Sequence, residues 1–145
     1  MIGIILASQG KKMEWNRGFT LIELLIAIVI LGIIVSIAYP SYQGFLLKTR
    51  RVDAQTELIK AQVEQSSFRI TEPSYSLDNN QIGLPIAHDF YTFSIVSASA
   101  HTYLLRAKVK NNSPQVSDLQ SCQTLYINQN NVKTSDGENE NASCW

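Results

Sequence analysis

The chain has 145 residues, with twelve basic and twelve acidic side chains and a formal net charge of zero. That balance excludes a global pull toward nucleic acid or acidic lipid, although a local basic patch is a separate matter. Two cysteines and two histidines, none at ligand spacing, argue against a metal centre, and neither a glycine-rich phosphate loop, an HExxH pair nor a Ser/His/Asp arrangement points to an enzyme or a cofactor.

From the N-terminus, Lys11, Lys12 and Arg17 precede an apolar run, Leu24–Ala38, and after Glu23 no charge returns until Lys48. At 1.5 Å per residue, residues 24–47 suffice to cross a hydrocarbon layer about 30 Å thick. Basic residues before the run favour a cytoplasmic N-terminus and export of the rest. A secretory signal peptide removed near residues 36–38 is the competing reading. The run is long for that role, and it continues past Pro40 into an amphipathic helix. Glu23 needs an explanation, because a carboxylate beside Leu24 and Leu25 is costly in lipid unless paired. It lies four residues after Phe19. If the chain began at Phe19, its new α-amine would lie close in height to Glu23. In a staggered stack, Glu23 of one subunit could then face the amine of its neighbour.

The run Arg17-Gly18-Phe19-Thr20-Leu21-Ile22-Glu23-Leu24, continued by Gly32 and Pro40, resembles the processing motif of the type IV pilin and pseudopilin family. The resemblance implies that residues 1–18 are a leader removed by a prepilin peptidase. The same enzyme would then methylate the amine of Phe19, with Gly18 the last leader residue and Glu23 the assembly glutamate. A start at Met13 would give a leader of usual length, and the sequence alone leaves open whether residues 1–12 are translated. The implied subunit is a single-pass inner-membrane protein with a periplasmic head, surrounded by lipid before it joins a surface pilus. Its implied partners are the assembly platform and other major and minor pilins. The implied fold is α+β: a long N-terminal helix packed on an antiparallel sheet of three to four strands, with a C-terminal disulfide loop. Residues 19–47 would form the membrane and assembly helix, 48–72 the amphipathic helix of the head, and 73–145 the remainder.

Along this mature chain, Pro40 predicts a bend or a melted stretch near residues 36–41. Leu47, Ala54, Leu58, Ala61 and Phe68 fall on one helical stripe, which Arg51 and Gln65 complete. Val52, Ile59, Val63 and Ile70 are expected to broaden that face. Glu72-Pro73 stops the helix. Residues 73–89 are turn-rich and predict a surface loop for contacts, with His88 solvent-facing or capping. Strands are predicted around Tyr91–Val96, Tyr103–Lys110, Thr124–Asn128 and Val132–Thr134. In an exported head, Cys122 and Cys144 are expected to bond, holding down a polar tail with Trp145 against the sheet edge. The head outline, with Ile82-Gly83-Leu84-Pro85 in its loop, looks most like PilE-type minor pilins.

The resemblance implies a structural minor pilin of a type IVa pilus, serving adhesion, twitching motility or DNA uptake. A DNA- or surface-binding head and a type II secretion pseudopilin are the alternatives. Lys48, Arg50, Arg51, Arg106, Lys108 and Lys110 are the basic residues within reach of DNA, and Arg106, Lys108 and Lys110 are expected to share one strand face. Asp136, Glu138 and Glu140 could imitate a calcium loop, but their intervening asparagines and nearby Cys144 argue against it.

Overall fold

The computed structural model describes residues 18–136, 138–139 and 143–145. The expected leader, with Lys11, Lys12 and Arg17, lies outside them, except for Gly18. The chain divides into two compact units, one ending at Ala38 and one running from Tyr39 to Trp145.

Helix α1, Leu21–Thr71, contributes to both. It starts at Thr20, which lies just before the first helical residue. The Glu23 backbone N–H donates to Thr20 Oγ1 at 3.3 Å, and Glu23 Oε2 accepts from the Thr20 backbone N–H at 3.0 Å. These reciprocal bonds are a capping box, which satisfies donors that the first turn leaves unpaired. The described residues of the first unit form no core: the large apolar side chains from Leu21 to Ile37 are all exposed. Among the described residues, α1 is the one helix long and apolar enough to cross a membrane. The melted stretch expected at residues 36–41 is not realised, since α1 is helical throughout. Proline removes a single N–H donor, and one lost bond need not end a helix whose neighbouring turns are intact.

In the second unit, Arg51, Ala54, Leu58, Ala61 and Gln65 are the buried helical positions. Their alternating three- and four-residue spacing places them on one stripe. The expected broadening by Val52, Ile59, Val63 and Ile70 does not occur; all four are exposed. Their spacings of seven, four and seven residues align them with one another, roughly 140° around the helix from the buried stripe.

Strands β1 (Tyr91–Ala98), β2 (Tyr103–Val109), β3 (Thr124–Asn128) and β4 (Lys133–Ser135) form an antiparallel meander in sequence order, extended by a two-residue β5, Glu138–Asn139. Tyr91, Phe93, Tyr103, Leu105, Ala107, Val109, Leu125 and Ile127 point inward, joining Ala54, Leu58 and Ala61 in one core cluster. A register shift between Ile95 and Ser97 interrupts the alternation of β1. The loop before β1 is less peripheral than expected, because Ile82 and Leu84 enter the core. Gly83 between them has φ +65°, a conformation that glycine adopts without steric cost. Gln65 fastens the start of this loop, donating to Ser76 O at 2.8 Å and accepting from Ser76 N at 2.9 Å.

Candidate functional site

Two separate places carry the predicted functional residues. The first is the start of α1. The Glu23 carboxylate there also accepts from Thr20 Oγ1 at 2.9 Å. The capping box was legible in the spacing Thr20-x-x-Glu23, a signal that the reading of Glu23 as an assembly residue passed over. A Cβ added to Gly18 would meet nothing within 4 Å among the described residues, so their packing does not require a glycine there. Phe19 is exposed.

The second place is the outer face of the sheet. Arg106 pairs with Ser94 across β1 and β2, and its Nε donates to Ser94 Oγ at 3.2 Å. Lys108, two residues on, is exposed. Lys110 lies beyond the end of β2; its Nζ donates to the His88 carbonyl. The three do not form a row of equally free charges on one strand, but all of them line a concavity of about 530 Å³ with Thr92, Ser94 and Asn111. Lys108 and Asn111 also border an adjoining hollow of about 580 Å³, completed by Gln120, Gln123, Thr124 and Asp136. These amides were missed in the sequence, because the loop that brings them beside Lys108 has no periodic pattern to read.

Of the other basic candidates, Lys48 is exposed at the far end of the head's helix, whereas Arg50 and Arg51 are engaged elsewhere. The Arg50 guanidinium lies 4.3 Å from the centre of the Phe90 ring. Arg51 is buried: it contacts Asp118 Oδ1 at 3.0 Å and donates to Ser143 O at 2.9 Å. Asp118 also accepts from the Gln115 amide at 3.0 Å and the Leu119 N–H at 2.9 Å. Beside this network Cys122 and Cys144 are bonded, and Gln55 donates to the Cys144 carbonyl. Trp145 donates from Nε1 to Thr134 O at 2.8 Å, so it meets the sheet at β4, one strand in from the edge where it was expected. Arg51 thus belongs to the clamp on the C-terminal segment and is unavailable to a ligand.

His88 takes the capping role. Its Nδ1 accepts from the backbone N–H groups of Phe90 and Tyr91, each at 3.1 Å, and its Nε2 contacts Asp53 Oδ2 at 3.1 Å. With Nδ1 an acceptor, the neutral ring carries its proton on Nε2. His101 is exposed in the turn after β1. Burial pushes the Tyr103 phenol up to about 12, and moves that of Tyr91 in the same direction, so both act as neutral core side chains. Of the calcium trio, Asp136 borders the larger hollow, whereas Glu140 and the side chain of Glu138 lie outside the described residues. Among the described residues, no group of three His, Cys, Asp or Glu side chains could hold a metal.

A helix with an exposed apolar first unit, a meander sheet packed on its second half, and a disulfide near the C-terminus are the architecture of a type IV pilin. The chain belongs to the type IV pilin and pseudopilin family: the family described as "Type IV minor pilin ComP, DNA uptake sequence receptor" matches residues 40–126, more than half of its length. The "Prokaryotic N-terminal methylation motif" matches residues 16–39. The chain is 35% identical over 96 residues to the type IV wide pilus major component PilA4 of Thermus thermophilus, covering 63% of this chain and 72% of that one. It is 36% identical over 85 residues to the type IV major pilin protein PilA of Myxococcus xanthus, covering 58% of this chain and 39% of the relative. The match spans less than half the length of the first curated pilins that the chain resembles. In fold it is similar to the non-core minor pilin PilV of Neisseria meningitidis, with a TM-score of 0.51 and 15% identity over 67% of this chain and 93% of that one.

Proposed function

We propose that this chain is a minor pilin of a type IVa pilus, supporting filament assembly and hence adhesion, twitching motility or DNA uptake. The observation that carries the reading is the first unit, where an apolar helix with all its large side chains exposed from Leu21 to Ile37 lies within the match to the methylation motif. Such a surface must be covered from outside the chain, by lipid before assembly and by other pilins afterwards. In this reading a prepilin peptidase cuts between Gly18 and Phe19, methylates the Phe19 amine, and hands the subunit to an inner-membrane assembly platform. The open surroundings of Gly18 support a need for glycine that comes from the peptidase. Glu23 then pairs with the amine of a neighbouring subunit, an interaction that neutralises two charges away from water. Mass spectrometry of the mature chain tests this: the N-terminal peptide should begin with N-methylated Phe19, and Gly18→Ala should leave the leader attached. A mature chain starting downstream of Ala38 would end the reading.

A second reading, that the head binds DNA, is favoured by the description of the matching family and by the concavity beneath Arg106 and Lys108. Lysine and arginine neutralise backbone phosphates, while the amides of Asn111, Gln120 and Gln123 match the donor and acceptor edges of bases. Lys108→Ala in the full chain should weaken duplex binding several-fold and reduce its salt slope by about one unit. Unchanged binding in a mobility-shift titration would remove Lys108 from the interface.

A further inference from the structure

The head carries an exposed leucine whose position is not explained by its core. Leu119 is 60% exposed, on the loop between two short 3-10 turns, Pro114–Ser117 and Gln120–Cys122. It borders a hollow of about 290 Å³ with Gly44, Leu47 and Lys48 of α1. That level of the helix is where the sequence changes character: Lys48 is the first charge after Glu23. In the half-turns just before it, Tyr39, Tyr42 and Phe45 are exposed. Aromatic rings followed by a lysine are the composition of a membrane–water boundary, where rings settle at headgroup level and the ammonium reaches phosphate.

The charge around Leu119 suits the same boundary. Its neighbour Asp118 is turned inward against Arg51 at 3.0 Å, so its carboxylate does not face outward. Ser117, Leu119 and Lys48 are exposed around the hollow, a neutral, an apolar and a positive group. Lys48 has no carboxylate partner among the described residues. Leu77 and Ile86 are exposed as well, but Leu119 is the one set beside Lys48 at the level of the aromatic rings, and a headgroup layer accepts a leucine below its phosphates and a lysine at them.

We infer that the Leu119 loop is a membrane foot: before assembly it seats the head on the outer, periplasmic-side interface of the bilayer that holds α1. Leu119 enters the acyl boundary while Lys48 meets lipid phosphate. The inference rests on the membrane-held subunit proposed above, and the test separates the two. The full chain is placed in nanodiscs of phosphatidylethanolamine and phosphatidylglycerol, with photoreactive benzoylphenylalanine substituted in turn at Ile30, Leu119 and Thr92, which are all exposed. Intact-mass measurement after illumination reads the adducts. Lipid adducts are expected at positions 30 and 119, with the yield at 119 several-fold above that at 92. Lys48→Glu should lower the yield at 119 and leave that at 30 unchanged. Lipid capture at 30 together with none at 119, or with only protein adducts there to a second copy, overturns the foot and leaves the membrane helix standing. Absence of lipid capture at 30 overturns both.

Discussion

The two units of this chain treat hydrophobicity in opposite ways. From Leu21 to Ile37 the large apolar side chains are exposed, yet in the head Arg51 and Gln65 are buried on the same helix. Burying one large apolar side chain stabilises by about 1.5–3 kcal/mol, so the first unit holds a large stabilisation that this chain alone cannot realise. The head holds within one chain a buried core, a disulfide and an arginine whose guanidinium meets the Asp118 carboxylate at 3.0 Å. The contrast teaches that an apolar run states a preference for a dry environment without saying which molecule supplies it. A buried arginine, conversely, states that its counter-charge must come from the same chain.

The strongest way to break this comparison is to remove that counter-charge. Asp118→Ala would leave Arg51 buried without a carboxylate, at a cost of about 3–5 kcal/mol. The pair Arg51→Met with Asp118→Leu should recover most of the loss, since apolar replacements of similar size remove the desolvation penalty along with the attraction. Chemical denaturation of the detergent-solubilised chain, followed through tyrosine absorbance of the head, reads both. Ile30→Ala in the first unit should leave that transition where it is. A loss below about 1 kcal/mol for Asp118→Ala would show that the pair is hydrated in solution, as surface pairs are.

The next expected effect comes from the Cys122–Cys144 bond, which spans a sequence separation of 22 residues. Loop-closure entropy gives about 3 kcal/mol for such a bond. Its loss also frees the Ser143 and Cys144 carbonyls that Arg51 and Gln55 hold. Cys144→Ser should therefore lower the unfolding midpoint and expose Trp145, with a red shift of its fluorescence. Its effect and that of Asp118→Ala should fail to add, because both groups hold down one segment.

The sequence was legible where periodicity speaks. The spacing of Arg51, Ala54, Leu58, Ala61 and Gln65 revealed the inward stripe even though two members are polar, and alternation revealed the strands. It misled at Val52, Ile59, Val63 and Ile70, where apolar identity was read as inwardness although the helical angle pointed elsewhere. It was silent on Ile82 and Leu84, which reach the core from a loop whose path depends on Gly83 and on the Gln65–Ser76 bonds. At the candidate DNA surface, residue identity gave the charges of Arg106 and Lys108. Only the chain's path beyond β2 gave Lys110 its partner at His88 and placed Gln120 and Gln123 beside Lys108.

The smallest expected effect on stability is the most informative about assembly. Phe45, Val52, Ile59, Val63 and Ile70 are exposed and aligned along α1, away from the buried stripe. Val52→Gln and Val63→Gln remove no core contact and put a straight-chain helix former in place of a β-branched residue, so each should alter the unfolding free energy by no more than about 0.5 kcal/mol. If this line of side chains is covered by neighbouring pilins, the same substitutions should sharply reduce the recovery of the subunit in sheared filaments while its level in the membrane is unchanged. Equal recovery would confine the assembly surface to the first unit and leave the exposed line on the head facing solvent. A fall in membrane level as well would mean that the valines stabilise the subunit itself. The distinction matters because both units expose apolar surface, and only the loss of recovery without loss of stability assigns a surface to a partner.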